Sequence, residues 1–104
     1  MDTIKIYGLE NCDTTKAAIK QLKTDGKVFE FVNLKKFNLT PAILKKWFAQ
    51  KSWEKLLNRR STTWKNLDKT LQEKVKDETT AIDIIINYPT LLKRPIVEVN
   101  SNII

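Results

Sequence analysis

The chain of 104 residues contains no histidine, one cysteine and only two glycines. Without histidine it can form neither a Ser-His or Cys-His dyad nor an HExxH metal site, and the usual transition-metal ligand sets are absent too. The single cysteine, Cys12, cannot form an intramolecular disulfide, which excludes a small secreted scaffold held together by disulfides. Any thiol chemistry in this protein must therefore proceed without an imidazole base.

Long hydrophobic runs are also missing. Residues 1–5 lack the apolar stretch of a signal peptide, and the richest apolar run, residues 81–86, is short and interrupted by Asp83. We therefore expect a cytoplasmic protein with no membrane partner and no targeting segment. With 41% hydrophobic and 30% charged residues, the chain can bury one core, and its length predicts a single domain over residues 1–104.

The net charge of +7 raises the question of a nucleic-acid partner, because basic proteins gain affinity by displacing counterions from phosphates. The basic residues are spread along the chain, however. Residues 1–52 hold ten cations and five carboxylates, residues 53–104 hold nine and seven, and no run of cations is longer than two. This distribution favours a solvated, lysine-rich surface over a dedicated nucleic-acid face.

Alternating apolar residues predict two strands near the N-terminus, over residues 3–7 and 28–32. Between them, the small polar residues 13–15 provide helix-start chemistry, and Gly26 provides the left-handed conformation of a helix end. A strand, a helix and a second strand in this order predict a βαβ unit with parallel strands.

The rest of the chain is predicted to be mostly helical, with strands only at its end. Thr40 followed by Pro41 is a helix-start signal. The further predicted elements are helical segments over residues 53–57 and 67–76, a helix opened by Thr79 or Thr80 and ended by Pro89, a strand over 96–99 and a very short strand at 103–104. The order predicts an α/β fold with a small mixed sheet, a helical insertion over about residues 40–88 and a shortened C-terminal part.

Cys12 lies in the predicted loop between the first strand and the first helix. Unpaired backbone N–H groups and the positive end of the helix dipole favour an anion there, and such placement lowers a thiol pKa from about 8.5 toward 3.5–7.5. A buried structural cysteine is the alternative interpretation. The polar neighbours Asn11 and Thr14 argue against burial, and we include both among the candidate anion- and substrate-binding residues.

The sequence Cys-Asp-Thr-Thr lacks the second thiol of a C-x-x-C pair, because Thr15 occupies that position. A lone thiol cannot resolve its own mixed disulfide and must be released by an external thiol, for which glutathione is the first expectation. Arg60 and Arg94 are further candidates, since the planar guanidinium suits carboxylate, phosphate or arsenate. Spacing alone does not bring them to Cys12, and a solvated surface role is the alternative for each.

Three segments, residues 4–18, 57–64 and 89–97, together resemble the arsenate-reductase-related (ArsC/Spx) family. They occur in family order and span almost the whole chain. The resemblance is closest to the branch of ArsC-like thiol reductases that has Asn-Cys-Asp-Thr, residues 11–14 here, at its site.

This resemblance implies a thioredoxin-like fold with a helical insertion and assigns roles to four residues. Cys12 matches the family nucleophile, Arg60 and Arg94 match its anion-binding arginines, and Pro95 matches the cis-proline packed beside the active cysteine. The resemblance implies no metal site. It makes a small thiol or disulfide the expected substrate.

The sequence departs from the family pattern in two respects. Ser61 stands where this branch usually has glycine. The full fourth strand, the C-terminal helix and the third arginine of true arsenate reductases have no counterpart after Arg94 within the 104 residues. We therefore expect either a shortened variant or a trimmed chain, and we place arsenate reduction below other thiol chemistry.

The leading hypothesis is an ArsC-like monothiol reductase with no bound cofactor, in which the Cys12 thiolate attacks a disulfide or a glutathione mixed disulfide and glutathione acts as co-substrate. One alternative is an Spx-type transcription regulator that contacts RNA polymerase, although such regulators usually carry C-x-x-C where this chain has Thr15. The other alternative is a catalytically inactive member of the family.

Overall fold

A computed structural model describes residues 2–104 and divides the chain into two compact units. The first unit consists of the N-terminal 38 residues together with Arg94–Ile104, and the second of Leu39–Lys93. Each unit has its own secondary structure and its own buried residues.

The first unit is a four-stranded mixed sheet with one helix. Its elements are β1 (Ile4–Gly8), α1 (Asp13–Thr24), β2 (Glu30–Asn33), β3 (Ile96–Val99) and β4 (Asn102–Ile103). The strand order is β2-β1-β3-β4, in which β1 and β2 are parallel and the other two pairs are antiparallel. The parallel βαβ unit predicted from the alternating pattern is thereby confirmed.

A close contact between β1 and α1 fixes the start of the helix. Gly8, at the end of β1, approaches Thr15 so closely that a Cβ added to Gly8 would lie 2.5 Å from Thr15 Oγ1 and 2.7 Å from its Cγ2. Real Cβ atoms do not approach other atoms to such distances, so only glycine fits here without a shift of the helix. Thr15 is consequently completely buried, together with Ile6 in the middle of β1.

Three strands have bounds other than those predicted. The first is Ile4–Gly8 and not residues 3–7, and the second and the last strand also differ. The second strand begins at Glu30 and not at Val28, whose side chain is 77% exposed and therefore gains nothing from the sheet. The last strand is Asn102–Ile103 and not residues 103–104. The two residues of the preceding turn, Asn100 and Ser101, have φ angles of 51° and 72°, and a two-residue hairpin turn with positive φ at both positions sets this register.

The second unit is helical. It contains α2 (Pro41–Gln50), α3 (Trp53–Leu56), α4 (Thr62–Lys65), α5 (Lys69–Lys74), α6 (Glu78–Asn87) and a 3₁₀ turn (Pro89–Leu91). Helix α2 begins as predicted, since Thr40 Oγ1 accepts a hydrogen bond from the Ile43 N–H and Pro41 follows it. Its apolar stripe of Leu44, Trp47 and Phe48 is buried, with Trp47 1% exposed, and α2 packs against α6.

The start of α6 corrects the sequence prediction. Asp77, rather than Thr79 or Thr80, is the N-cap: its carboxylate accepts from the Thr80 N–H, and Thr80 Oγ1 in turn accepts from the Asp77 N–H. The predicted helix over 67–76 is shorter, and the one-turn helix α4 was not predicted. Across residues 2–104, the helices are too short or too polar to cross a membrane.

Candidate functional site

Cys12 is the N-cap residue of α1, which confirms its predicted place between β1 and the helix. The loop is held by two backbone hydrogen bonds, from the Cys12 N–H to Leu9 O at 3.2 Å and from the Lys16 N–H to Cys12 O at 2.9 Å. The Cys12 side chain is half-buried and forms no regular capping hydrogen bond. Its sulfur therefore lies at the positive end of the helix without being used to cap it.

Thr14 connects the cysteine to the segment that precedes β3. Its Oγ1 lies 3.0 Å from Cys12 Sγ and donates a hydrogen bond to the carbonyl oxygen of Arg94 at 3.0 Å. A hydroxyl has one hydrogen, so Thr14 can donate a hydrogen bond either to the carbonyl oxygen or to the sulfur, but not to both at once. While Cys12 is a thiol, its S–H can donate to Thr14 Oγ1; once Cys12 ionises, the Thr14 hydrogen can turn to the sulfur.

Thr15 is a candidate functional residue that the sequence does not reveal. From the sequence, it belongs to the start of the first helix and stands in place of a second cysteine. Its Oγ1 is fully buried and has no hydrogen-bond partner of regular geometry among residues 2–104. Its hydroxyl and its backbone N–H nevertheless stabilise the Cys12 thiolate. When Cys12 ionises, its sulfur therefore becomes a hydrogen-bond acceptor for this buried hydroxyl.

The balance of these interactions strongly favours the thiolate. Burial by itself would raise the pKa of Cys12, but hydrogen bonds from Thr14, from the side chain and backbone of Thr15 and from the Arg94 side chain outweigh it. Together they lower the pKa of Cys12 to about 6. At pH 7 this gives roughly ten thiolates for each thiol, in a site that has no imidazole.

A cavity of about 240 Å³ opens beside Cys12. The loop residues Leu9 to Cys12 and the side chain of Arg94 form part of its lining, so that the predicted candidates Asn11 and Arg94 share one cavity with the cysteine. Two further lining residues, Asn33 and Lys35, come from the end of β2 and the turn after it. The sequence reasoning did not single out these two, because the parallel pairing of β1 with β2 is what brings them here.

The predicted residue Arg60 belongs to the second unit. It is exposed on the turn before α4, where its N–H donates to Asn58 Oδ1 at 3.0 Å. It lines a separate cavity of about 400 Å³ together with Arg59 and Lys93. Its role as an anion ligand beside Cys12 stays a prediction.

Arg59 is more constrained than Arg60, its neighbour in the sequence. Its guanidinium carbon lies 5.7 Å from the ring centroids of both Trp53 and Trp64, a cation–π arrangement with two aromatic partners. The tryptophans thus hold the turn that carries Arg60.

The Arg94–Pro95 peptide bond is cis, which is the form that the resemblance implied for Pro95. Within residues 2–104, no three His, Cys, Asp or Glu side chains are grouped so that they could hold a metal ion. The residues that the structure gathers at Cys12 provide hydrogen-bond donors and positive charge.

A sequence model of the ArsC family matches residues 7–103. A Haemophilus influenzae protein described as uncharacterized is 38% identical over 94 residues, which cover 90% of this chain and 82% of that protein. Among solved structures, the YFFB (PA3664) protein superimposes with a TM-score of 0.86 at 32% identity, covering 92% of this chain and 83% of that one.

An arsenate reductase (ArsC) related protein from Brucella melitensis superimposes with a TM-score of 0.79 at 30% identity, over 98% of this chain and 84% of that chain. These similarities, with the mixed sheet of the first unit, confirm the predicted thioredoxin-like α/β fold. The family match spans nearly the whole chain and includes Cys12, Arg60 and Arg94. The chain therefore belongs to the ArsC family.

Proposed function

We propose that the protein is a monothiol reductase whose nucleophile is the Cys12 thiolate and whose reductant is glutathione. The observation that carries the proposal is the set of donors around the Cys12 sulfur, from Thr14, Thr15 and Arg94, which lowers the pKa of Cys12 to about 6. A cysteine at a helix N-terminus would not suffice alone. The geometric support is the Thr15 hydroxyl, which is buried close to Cys12 in sequence and has no regular hydrogen-bond partner within residues 2–104.

In the first step, the Cys12 thiolate attacks the glutathione sulfur of a mixed disulfide RS–SG. The Cys12–SG bond forms as the RS–SG bond breaks, and RS⁻ leaves with the electron pair and takes a proton from water. During this displacement the negative charge spreads over three sulfurs in line. The Arg94 side chain, which stabilises the Cys12 thiolate and lines the same cavity, can also stabilise this charge.

In the second step, a glutathione thiolate attacks the glutathione sulfur of Cys12–SG. The product is oxidised glutathione, and Cys12 leaves as a thiolate. The net reaction is RSSG + GSH → RSH + GSSG, so two electrons pass from glutathione to the substrate. Because Cys12 is the only cysteine, no second protein thiol can perform this step within one chain.

The lowered pKa matters mainly for this release. At pH 7, a pKa of about 6 instead of 8.5 increases the thiolate fraction roughly thirtyfold, while the intrinsic nucleophilicity of the thiolate falls by roughly tenfold. The net gain for attack is therefore small. A low-pKa thiolate is, however, a much better leaving group, so the hydrogen bonds at Cys12 accelerate its liberation from the mixed disulfide most.

The experiment is a glutathione-coupled assay of a peptide–glutathione mixed disulfide, with the wild type, Cys12→Ser and Arg94→Gln. We expect turnover by the wild type, no turnover by Cys12→Ser and slower turnover by Arg94→Gln. Lys20→Gln, a change on the exposed face of α1, is the control for a nonspecific effect of charge and should match the wild type. Equal rates for the wild type and Cys12→Ser would contradict the proposal.

Arsenate is the less favoured substrate of the same site. The support for it is the name of the Brucella relative and the presence of the cations Lys35 and Arg94 in the cavity beside Cys12. Glutathione-dependent release of arsenite from arsenate, measured with the same variants, distinguishes the two substrates.

A further inference from the structure

The strand register brings three separate segments to the same end of the sheet. Gly8 at the end of β1 pairs with Asn33 at the end of β2, and the Leu34 N–H donates to Gly8 O at 2.9 Å. On the other side of β1, Tyr7 pairs with Ile96, which places Arg94 at this same end. The cavity beside Cys12 is therefore bounded by residues that are far apart in the chain but fixed by backbone pairing.

Asn33 is held in one orientation by the turn that follows β2. Its Oδ1 accepts a hydrogen bond from the Lys35 N–H at 2.9 Å, and its carbonyl oxygen accepts from the N–H groups of Lys36 and Phe37 at 3.0 and 2.9 Å. With Oδ1 engaged, the amide nitrogen Nδ2 offers two hydrogens. Among residues 2–104, none accepts a hydrogen bond from it.

The cavity offers two cations to an anionic ligand. They are Lys35 and Arg94, and the anionic groups among its lining residues are the Glu10 carboxylate and the Cys12 thiolate. The Arg94 side chain stabilises the Cys12 thiolate. For a ligand in this cavity, Lys35, which is exposed, provides a further cation, and the side-chain amides of Asn33 and Asn11 provide neutral donors.

Resting on the function proposed above, we propose that Asn33 and Lys35 form a carboxylate subsite for the group attached to the sulfur that Cys12 attacks. A planar amide N–H₂ and an ammonium, on residues two apart in one turn, suit the two oxygens of a carboxylate. At about 240 Å³, the cavity is smaller than the pocket of a typical complete small-molecule ligand and fits one acidic end of a substrate. The site thus selects disulfides of small acidic thiols.

The test compares three aliphatic disulfides that differ in charge: 3,3′-dithiodipropionate, 2-hydroxyethyl disulfide and cystamine. The second-order rate of mixed-disulfide formation at Cys12 is followed by intact mass, without any second thiol. The ratio of variant to wild-type rate for each reagent cancels the intrinsic reactivity of that reagent. Lys35→Gln removes the proposed charge, and Lys36→Gln removes an equally exposed charge on the next residue, which does not line the cavity.

We expect Lys35→Gln to slow the reaction with the anionic disulfide roughly fivefold, which corresponds to one contact between unit charges at a protein surface. The rate with the neutral disulfide should stay unchanged. Asn33→Asp keeps an oxygen for the Lys35 N–H but replaces the amide donor by a negative charge, so it should slow the anionic disulfide more and accelerate cystamine. Lys36→Gln should change none of the three rates appreciably.

Two results would overturn the subsite. One is an equal effect of Lys35→Gln on all three reagents, and the other is an effect of Lys36→Gln on the anionic reagent as large as that of Lys35→Gln. The proposed function fails separately, by its own assay: the wild type would then turn over the glutathione mixed disulfide no faster than Cys12→Ser. If Cys12 reacts with all three disulfides but does not discriminate between their charges, only the subsite proposal fails.

Discussion

Helices α1 and α6 both begin with an anionic side chain at the N-cap, and the two side chains are used differently. At the start of α6, the Asp77 carboxylate accepts a hydrogen bond from the Thr80 N–H at 2.8 Å, and the Thr80 hydroxyl oxygen accepts one from the Asp77 N–H. At the start of α1, the Cys12 sulfur forms no regular capping bond, and the hydroxyl of Thr15, three residues on, is buried without a regular partner.

The physical effect on the two groups is similar. The backbone and side-chain hydrogen bonds of Thr80 hold the pKa of Asp77 below its ordinary value, and Thr14, Thr15 and Arg94 lower that of Cys12 against the opposing effect of burial. The difference lies in what remains available. The carboxylate of Asp77 is engaged in the capping box and stabilises the helix, whereas the sulfur of Cys12 keeps a face toward a cavity and is free to react.

The largest expected effect comes from removing the sulfur. Cys12→Ser leaves a hydroxyl that stays protonated at neutral pH and is a common N-cap residue, so the fold should persist. Thiol-transfer turnover should fall on the order of a thousandfold or more, since no other thiol is present. Thermal melting should give a Tm at or above that of the wild type. A variant that melts well below the wild type would mean that Cys12 is structural.

Gly8→Ala tests the contact that positions Thr15. The new Cβ would lie 2.5 Å from Thr15 Oγ1, so the helix or the strand must shift, and we expect a loss of about 1–3 kcal/mol in the free energy of unfolding. Urea denaturation measures it. The double variant Gly8→Ala with Thr15→Ala removes the two nearest atoms, Oγ1 and Cγ2, and should recover most of that loss. Strict additivity of the two single changes would contradict the contact.

Thr15→Val tests whether Thr15 acts on the pKa of Cys12 or on the stability of the fold. Valine keeps the shape of threonine but lacks the hydroxyl, so the pKa of Cys12 should rise by about one unit as the thiolate loses a donor. Because the lost hydroxyl is buried without a regular partner, the Tm should stay equal or increase. Thr15→Ser should keep the low pKa. A lower Tm with an unchanged Cys12 pKa would show that Thr15 serves only the fold.

Asp77→Ala gives the smallest effect and completes the comparison. It removes the cap of α6, so the Tm should fall by a few degrees at neutral pH. Because the pKa of Asp77 is lowered in the folded protein, this stabilisation is fully present above about pH 4 and is lost as the pH falls through the folded-state pKa. Alkylation of Cys12 should not change, and a change there would contradict the separate use of the two helix starts.

The local part of the site could be predicted from the sequence, while the tertiary part could not. A cysteine between a strand and a helix start places a thiol at a helix N-terminus, which spacing alone shows. The role of Thr15 depends on Gly8 approaching it from β1, and the placement of Asn33 and Arg94 depends on the strand register. For Arg94, only the family resemblance supplied that long-range contact.

The same distinction explains the corrections to the secondary structure. The Asp77 cap was missed because Thr79 and Thr80 carry an equally good local signal, and the choice follows from the reciprocal bonds between Asp77 and Thr80. Val28 fits a strand by type but is 77% exposed, because the sheet contacts begin only at Glu30. Propensity identifies the kind of element, and the pairing partner decides where it begins.

The central claim is that the surroundings of Cys12 stabilise its thiolate, and the pH dependence of its alkylation by iodoacetamide tests this most directly. The rate constant follows the thiolate fraction, and Cys12 is the only thiol, so the profile has a single midpoint. We predict a midpoint at about pH 6 in the folded protein. A midpoint near the ordinary thiol value of about 8.5 would contradict the account.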